Sequence, residues 1–398
     1  LAAKYGTGGR LGWQSAMHML LVSIACAACA KGHNIRNNES QRLMWIRNDG
    51  TASSGYGNLI AEEKGAFYFT TVQNNLIEWK SGKVRIVKED YSFFGINLQM
   101  RDGYLYYIDM GQYDNPFGFY RLNPQSAKDE LLLDLSSLPG AWSGSAMSWW
   151  VDDGEYYFLQ HLKGEAPFVI YHLDSEWKYI NRISLPEEVS EIYCLYDHKL
   201  VYSTELEMPL HRTGIRDIGV FDYKTGDFGI VLPYDREKGL DITGNPAEIY
   251  SSPIGFRNGK MIIQCMDDPE GFGTFLLEVD LDTKESEKIV VDSKREIKIL
   301  ALNDNVTYFI KPAFGWTLEG GMILCSYYKD TVYEIGMTNL SSYGSELIGD
   351  NFFFSDLKAY DKKFIDAEQS EDYVCNSNCS NYFISYSNGM LYRILKNE

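Results

Sequence analysis

Apolar and polar positions alternate along this chain in short bursts, and the bursts come in pairs set off by turn residues. Gly103-Tyr104-Leu105-Tyr106-Tyr107-Ile108 is answered by Gly118-Phe119-Tyr120-Arg121-Leu122-Asn123. The same phrase starts at Gly65, Gly154, Lys199, Gly259, Gly321 and Asn381, seven copies with the first, and the second burst commonly ends near Asp or Asn. Alternation over a short run bounded by Gly, Asp or Asn predicts a strand, and two such runs in succession predict antiparallel pairing. A strand-built repeat of roughly 40 to 60 residues predicts a propeller, because one small twisted sheet buries its two faces only against neighbouring copies.

Four strands per repeat account for the spacing. Inner strands are expected at Asn97–Met100, Ala146–Val151 and Ile192–Tyr196, and outer strands at Leu131–Leu135, Tyr179–Leu185, Phe228–Leu232 and Ser286–Val291. Ile297–Leu302 and Val306–Ile310 read as extra or shifted strands in an irregular sixth repeat, with a helix there left open. The expected fold is an all-β propeller of four-stranded antiparallel blades, seven favoured and six or eight allowed. The chain closes on Met390–Leu395, which matches a third strand with no fourth after it. The lone strand Arg42–Ile46 is therefore expected to serve as the missing outermost strand and close the ring.

The connections sort by length. Inner-to-second turns such as Asp102-Gly103, Asp153-Gly154 and Asn258-Gly259 carry hairpin chemistry, and third-to-fourth turns such as 123–126 and 223–226 are also short. The long segments are 110–118, 160–167, 205–216 and 267–273 between second and third strands, and 136–145, 233–253 and 313–320 between blades. In an up-and-down meander these two classes leave from the same end. Extra sequence is thus expected at one rim, where loops carry recognition.

Composition changes the picture in three ways. Aromatic residues make up 14% of the 398, with 29 Tyr and only 11 Pro, which suits stacked twisted sheets. A net charge of −18 disfavours nucleic acid and electrostatic docking on anionic lipid. Lys4 and Arg10 precede the apolar stretch Met19–Ala30, about 12 residues and so the length of a secretory h-region rather than of a membrane span. Small residues lead into Cys26 and Cys29, each preceded by Ala, which resembles a bacterial lipoprotein signal; Ser23 and Cys26 stand where that signal places Leu. Lipidation at Cys26 or Cys29, plain cleavage near Ala28 or Ala30, and a misassigned start all remain open. The organisation expected is a leader at 1–30, a linker at 31–41 and one propeller domain at 42–398.

Of seven cysteines, Cys194, Cys265 and Cys325 sit in apolar strands and are expected as buried free thiols. Cys375 and Cys379 flank Asn-Ser-Asn and could form a disulfide, stay free or hold a metal. The chain has no Gly-x-Ser-x-Gly elbow, His-Glu-x-x-His, phosphate loop or calcium loop. The carboxylates of Asp267-Asp268-Pro269-Glu270 read as a solvated turn, Ser143-Gly144-Ser145 as a small polar turn, and His172 as structural. No cofactor and no metal are expected.

Aromatic residues are the better lead. Tyr113, Trp142, Tyr234 and Trp316 stand in the long connections, with Asp114, Arg212 and Asp235 as polar companions and His161 and His211 on the same rim. Such rings stack on sugars or anchor protein contacts, or else seal the loops onto the barrel mouth. Trp149 and Trp150 fall in an inner strand and read as core.

Together with the leader and the phrase Asp330-Thr331-Val332-Tyr333-Glu334-Ile335, the repeats resemble exported lipoprotein-type propellers of bacteria, the TolB-like and six-bladed Bacteroidales groups. That resemblance covers most of 42–398 and implies a periplasmic or outer-membrane-anchored binding protein, with no catalytic residue carried over. Two functions are in competition. One is a monomeric, non-enzymatic scaffold that recognises a protein, peptide or glycan at the long-loop face, with membrane contact only through a lipid anchor. The other is a glycoside hydrolase or lyase using Asp114, Asp235 or Asp267 in the funnel, which requires two carboxylates roughly 5 to 9.5 Å apart.

Overall fold

Strand pairing in the computed structural model turns the alternating pattern into radial sheets. The structure describes residues 44–46, 52–53, 59–70, 76–80, 83–88, 99–109, 111, 116–141, 147–162, 168–204, 217–235, 239–240, 250–266, 274–292, 297–314, 321–338, 345–348, 351–355, 357–359, 365–366 and 391–394. All of them fall within the unit Leu43–Glu398.

Two short strands come first, β1 (Met44–Ile46) and β2 (Ala52–Ser53). The first four-stranded antiparallel unit is β3 (Leu59–Glu63), β4 (Ala66–Thr70), β5 (Leu76–Lys80) and β6 (Lys83–Lys88). The second is β7 (Gln99–Arg101), β8 (Tyr104–Asp109), β9 (Gly118–Asn123) and β10 (Lys128–Asp134). The third is β11 (Met147–Asp152), β12 (Glu155–His161), β13 (Phe168–Leu173) and β14 (Tyr179–Ser184). The fourth is β15 (Val189–Tyr196), β16 (Lys199–Thr204), β17 (Ile218–Asp222) and β18 (Phe228–Leu232).

A small hairpin follows, β19 (Tyr234–Asp235) with β20 (Gly239–Leu240). The fifth unit is β21 (Tyr250–Arg257), β22 (Lys260–Met266), β23 (Thr274–Val279) and β24 (Ser286–Asp292). The sixth is β25 (Lys298–Leu302), β26 (Val306–Pro312), β27 (Met322–Tyr328) and β28 (Thr331–Thr338). The remaining strands are β29 (Ser345–Ile348), β30 (Asn351–Ser355), β31 (Leu357–Ala359), β32 (Ile365–Asp366) and β33 (Leu391–Ile394). Of these, β29-β30-β33-β32 form the seventh unit, and β31 adds to the outer edge of β28.

The protein is an all-β propeller of four-stranded antiparallel blades. Counted as continuous sheets of four or more strands there are six, because β1 and β2 join the fourth and sixth units into one sheet of eleven strands.

Each unit buries its faces against its neighbours, which is why the repeats are apolar on both sides. Leu76 and Tyr68 meet Leu105 and Leu122 between the first two units. Between the second and third, Phe119 packs edge-on to Trp149 at 4.8 Å and to Phe158 at 5.1 Å. Such aromatic pairs contribute about 0.5–1.5 kcal/mol beyond the area they bury. Cys194 and Val201 face Met261 and Ile263 between the fourth and fifth units, and Tyr308 stacks on Phe352 between the sixth and seventh. Side-by-side inner strands complete the circuit, with β29 lying next to β3.

Three details differ from expectation. The Met44–Ile46 strand does not take the outermost place. It runs parallel to the inner strand β15, and β2 runs antiparallel to the inner strand β25. The outermost place of the seventh unit is taken by β32 on β33. In the sixth unit, 298–302 and 306–312 are the inner and second strands, which makes Met322–Leu324 part of the third strand rather than the second. The turn at Asn303-Asp304-Asn305 lacks Gly, and that hid the phase. The seventh repeat's Tyr382–Ile384 lies outside the described residues.

Candidate functional site

The two ends of the propeller are built differently. At one end, the inner-to-second turn of the sixth unit runs through Asn303-Asp304-Asn305, while those of the first five units are two residues long with both φ angles positive, as at Asp102 (φ 50) and Gly103 (φ 80). This is the turn whose twist matches that of the strands it joins. The fourth unit departs by placing His198 (φ 55) where the others have Gly, and the ring is held 3.2 Å from Asp222 and 3.3 Å from Asp197. Four of the third-to-fourth turns at this end share one device. Asn123, Asp174, Asp222 and Asp280 each end the third strand or directly follow it, and accept two backbone N–H bonds from the turn. That explains why so many second bursts finish near Asp or Asn.

An ion pair and hydrogen bonds fasten this short-turn end from unit to unit. Lys224 Nζ lies 2.7 Å from both Asp152 Oδ2 and Asp153 Oδ2, and the Tyr223 hydroxyl donates to Asp152 at 2.8 Å. Burial pushes the Asp152 pKa up, but the bonds from Lys224 and Tyr223 outweigh it and the carboxyl ends below its usual range. Arg85 pairs with Glu78 and donates to the Pro124 carbonyl at 3.0 Å, joining the first two units. Arg257 pairs with Glu278 inside the fifth unit, and the Asn258 N–H donates to Asp304 at 2.8 Å, joining the fifth and sixth. Glu155 holds His172, whose ring stacks on Tyr157 at 4.5 Å, so His172 is structural.

The opposite end carries the long connections. Between second and third strands these are 110–117, 162–167, 205–217, 267–273 and 313–321, and between units they include 89–98, 135–146 and 233–249. The corrected phase of the sixth unit moves 313–321 from one class to the other without changing the end it leaves from. Tyr113, Asp114, Trp142, His211, Arg212, Asp267 and Trp316 fall inside these connections and outside the described residues. Cys26, Cys29, Cys375 and Cys379 are outside them too.

His161 ends β12 at this rim. Its ring is accessible yet leans on Phe168 at 4.7 Å, and the partial loss of water pushes its pKa below the ordinary range. Tyr234 opens β19; its N–H donates to Asp217 at 2.7 Å, and its half-buried ring packs on the core between the fourth and fifth units. Asp235 pairs with Gly239 through the backbone. Trp149 and Trp150 are core residues, and Cys194, Cys265 and Cys325 are buried thiols that form no disulfide.

Sequence reasoning missed a polar group where β15 enters from the long-loop end. Tyr193 donates to Glu191 at 3.0 Å and lies 3.2 Å from the Ser203 hydroxyl, on neighbouring strands. Exposed Glu187 and Glu188 lead into the same strand. Beneath them Tyr202 is fully buried; burial, with Glu188 and Asp217 nearby, pushes its phenol up to about 12. The run Pro186-Glu187-Glu188 with Glu191 was the available signal.

Among the described residues no group of three or more His, Cys, Asp or Glu is placed to hold a metal, and no helix is long and apolar enough to cross a membrane. No protein-family profile and no curated protein matches the chain. Solved structures match the chain at low identity. The β-propeller domain of the trilobed protease from Pyrococcus furiosus is 11% identical over 75% of this chain and 90% of its own, with a TM-score of 0.47. A prolyl endopeptidase is 13% identical over 66% of this chain, with a TM-score of 0.42, and this chain spans only 39% of its length. TolB from Acinetobacter baumannii is 11% identical over 67% of this chain and 61% of its own, with a TM-score of 0.37.

Proposed function

We propose that this propeller is a non-enzymatic binding scaffold of a bacterial cell envelope, exported by its apolar leader and recognising a protein, peptide or glycan at the long-loop end. The observation that carries the reading is the asymmetry of the two ends. One is locked by two-residue turns, Asx turns and ion pairs between units, while the other gathers the long connections. A rigid ring that presents variable loops is a recognition platform. Trp142 and Trp316, in two of those connections, are the anchors, with Tyr113, Asp114, His211 and Arg212 beside them in sequence terms. Cys26 or Cys29 carries a lipid that tethers the scaffold to the membrane, and the ring works as a monomer.

Glycan-array and pull-down screening of residues 42–398 tests the reading. Replacing Trp142 and Trp316 together by Ala is expected to abolish capture of the ligand found while leaving the unfolding temperature unchanged. Undiminished capture by the double variant removes Trp142 and Trp316 from the site.

A further inference from the structure

The outer strand of a propeller blade has a partner on one side only, and natural sheets blunt such an edge with charge or cover it. Arg85 stands in β6, Asp129 in β10, Arg182 in β14, Lys288 in β24 and Asp366 in β32. The edge of β28 is covered by β31. Among the described outer strands β18 alone carries no charged residue, reading Phe-Gly-Ile-Val-Leu over 228–232.

The phase of its ladder leaves that edge open. The Asp222 N–H donates to the Asp227 carbonyl at 2.8 Å, and bonded and non-bonded pairs alternate from there. Phe221↔Phe228 and Gly219↔Ile230 are therefore non-bonded pairs, so the N–H and C=O of Phe228 and Ile230 point away from β17. No described strand meets them on that side. Their side chains are exposed as well, Phe228 at 56% and Ile230 at 41%. Phe228 shares a face with its partner Phe221, which packs against the third unit. Gly229 turns to the other face, where an added Cβ would meet nothing within 4 Å. Pro233 follows the strand and has no N–H to offer, so the open stretch ends there.

The approach to the start of β18 is acidic. Asp152, Asp153, Asp197, Asp222 and Asp227 gather there against Lys199 and Lys224, and Asp153, Asp197 and Asp227 are exposed. An antiparallel strand exchanges two backbone bonds with each of Phe228 and Ile230, and a large side chain beside an edge glycine fills the space it leaves. We infer that the outer edge of β18 is a strand-addition site for an extended apolar segment of a partner protein. The segment runs antiparallel, sets a large side chain against Gly229 and carries a basic residue at the end that meets Asp227. Main-chain bonds supply the affinity of such a site and alternate side chains its specificity. The site lies on the outer belt of the ring and goes beyond the long-loop reading.

The probe is the labelled synthetic peptide Thr-Val-Phe-Val-Lys-Lys, acetylated and amidated, added to the full chain and followed by fluorescence anisotropy. In the antiparallel register its two Val amides bond the edge and its Phe amide points away. Saturable binding with a dissociation constant below about 1 mM is expected. Methylating both Val nitrogens is expected to weaken binding at least about ten-fold, and methylating the Phe nitrogen by less. Replacing both Lys by Glu is expected to weaken it at least about three-fold at low salt.

Ile230→Pro removes an outward N–H without breaking a bond to β17. That variant is expected to lose about ten-fold or more in peptide affinity with native circular dichroism. No saturable binding at about 1 mM, equal affinity for the Val-methylated peptide, or full binding by the natively folded variant overturns the inference. Equal affinity for the Glu peptide overturns the basic end of the partner. Should the variant not fold, the methylated peptides on the unaltered chain decide alone. A second copy of this chain is the rival occupant, and dimerisation in sedimentation velocity that Ile230→Pro abolishes overturns the assignment to another protein. Ligand capture at the long-loop end is expected to be unchanged by Ile230→Pro, so the two readings stand or fall separately.

Discussion

The Tyr202 ring fills the space where a side chain on Gly219 would begin. The two residues are cross-strand partners on β16 and β17, and a Cβ built on Gly219 would lie 2.2 Å from Tyr202 Cζ. Tyr202 is fully buried against the third unit's Tyr157 and Leu159, so the ring has nowhere to withdraw. Gly219→Ala is therefore expected to destabilise the propeller by about 1–3 kcal/mol through overpacking. Gly229→Ala in the neighbouring β18 is the control, because nothing lies within 4 Å of its added methyl. That change is expected to be neutral or to stabilise by up to about 1 kcal/mol. Urea denaturation of both variants checks the contrast, and equal midpoints would refute the packing argument.

The lock between the third and fourth units is expected to depend on the two ends of the Lys224–Asp152 pair unequally. Lys224 and Asp152 are each about a third exposed or less, at 34% and 27%, so their mutual attraction is screened by water. Lys224→Met is expected to cost no more than about 1 kcal/mol. Asp152→Ala also leaves the buried Tyr223 hydroxyl without its acceptor, a loss of about 1–3 kcal/mol. Denaturation in urea with and without added salt separates the two, since only the lysine's contribution should fade as salt rises. A larger loss from the lysine variant would reverse the assignment.

Acid should unfasten the short-turn end first. The carboxyls of Asp152 and Glu78 are both held below their usual range: burial pushes each up, but Lys224 and Tyr223 outweigh it at Asp152, and Arg85 and Tyr68 do so at Glu78. A group whose pKa is lowered by folding stabilises the native state above its unfolded value, near 4 for these carboxyls, and that stabilisation disappears as pH falls through the folded value. Stability is thus expected to be flat from about pH 7 to 5 and to decline below about pH 4. Asp152→Asn, which cannot be titrated, should narrow its deficit relative to the unaltered chain as the pH drops from about 6 to 3. A constant deficit across that range rules out the linkage.

Much of this architecture was legible because each blade is covered on both faces, so strands announced themselves as dense alternating runs. Tight turns were legible because Asp102-Gly103 and Asn258-Gly259 are chemically constrained to positive φ. β1 was placed wrongly and β2 was missed because ladders of two residues leave no periodicity to read, and an apolar run such as Leu43–Ile46 fits an inner edge as well as an outer one. The Asp152–Lys224 link escaped notice for a different reason. The residues are 72 apart, and each alone is an unremarkable turn residue until the third and fourth units are set side by side. At the opposite end, sequence and topology agree on which connections gather there, and of the candidate site His161, Tyr234 and the backbone of Asp235 are described. Tyr234, a tyrosine in a long connection, rests its half-buried ring against the core between the fourth and fifth units.

Thiol chemistry gives a further measure of how tightly the interfaces between units are closed. Cys194 lies in β15 with no exposed surface, and burial pushes its thiol up to about 12. At pH 8 that leaves on the order of one thiolate in ten thousand, and the thiolate is the reactive form. Cys265 and Cys325 are likewise buried, on β22 and β27. Their labelling by a thiol reagent in the native state should therefore proceed only through opening of the blade interfaces. Peptide-level mass spectrometry is expected to show these three cysteines unmodified in native buffer and fully modified in about 6 M guanidinium, where the packing that shields them is gone. Gly219→Ala should accelerate labelling of Cys194 specifically, because it loosens the unit whose inner strand carries that residue. Rapid native labelling of Cys194 in the unaltered chain would mean that the interface between the fourth and fifth units opens readily, and the closed-ring account of stability would have to be abandoned.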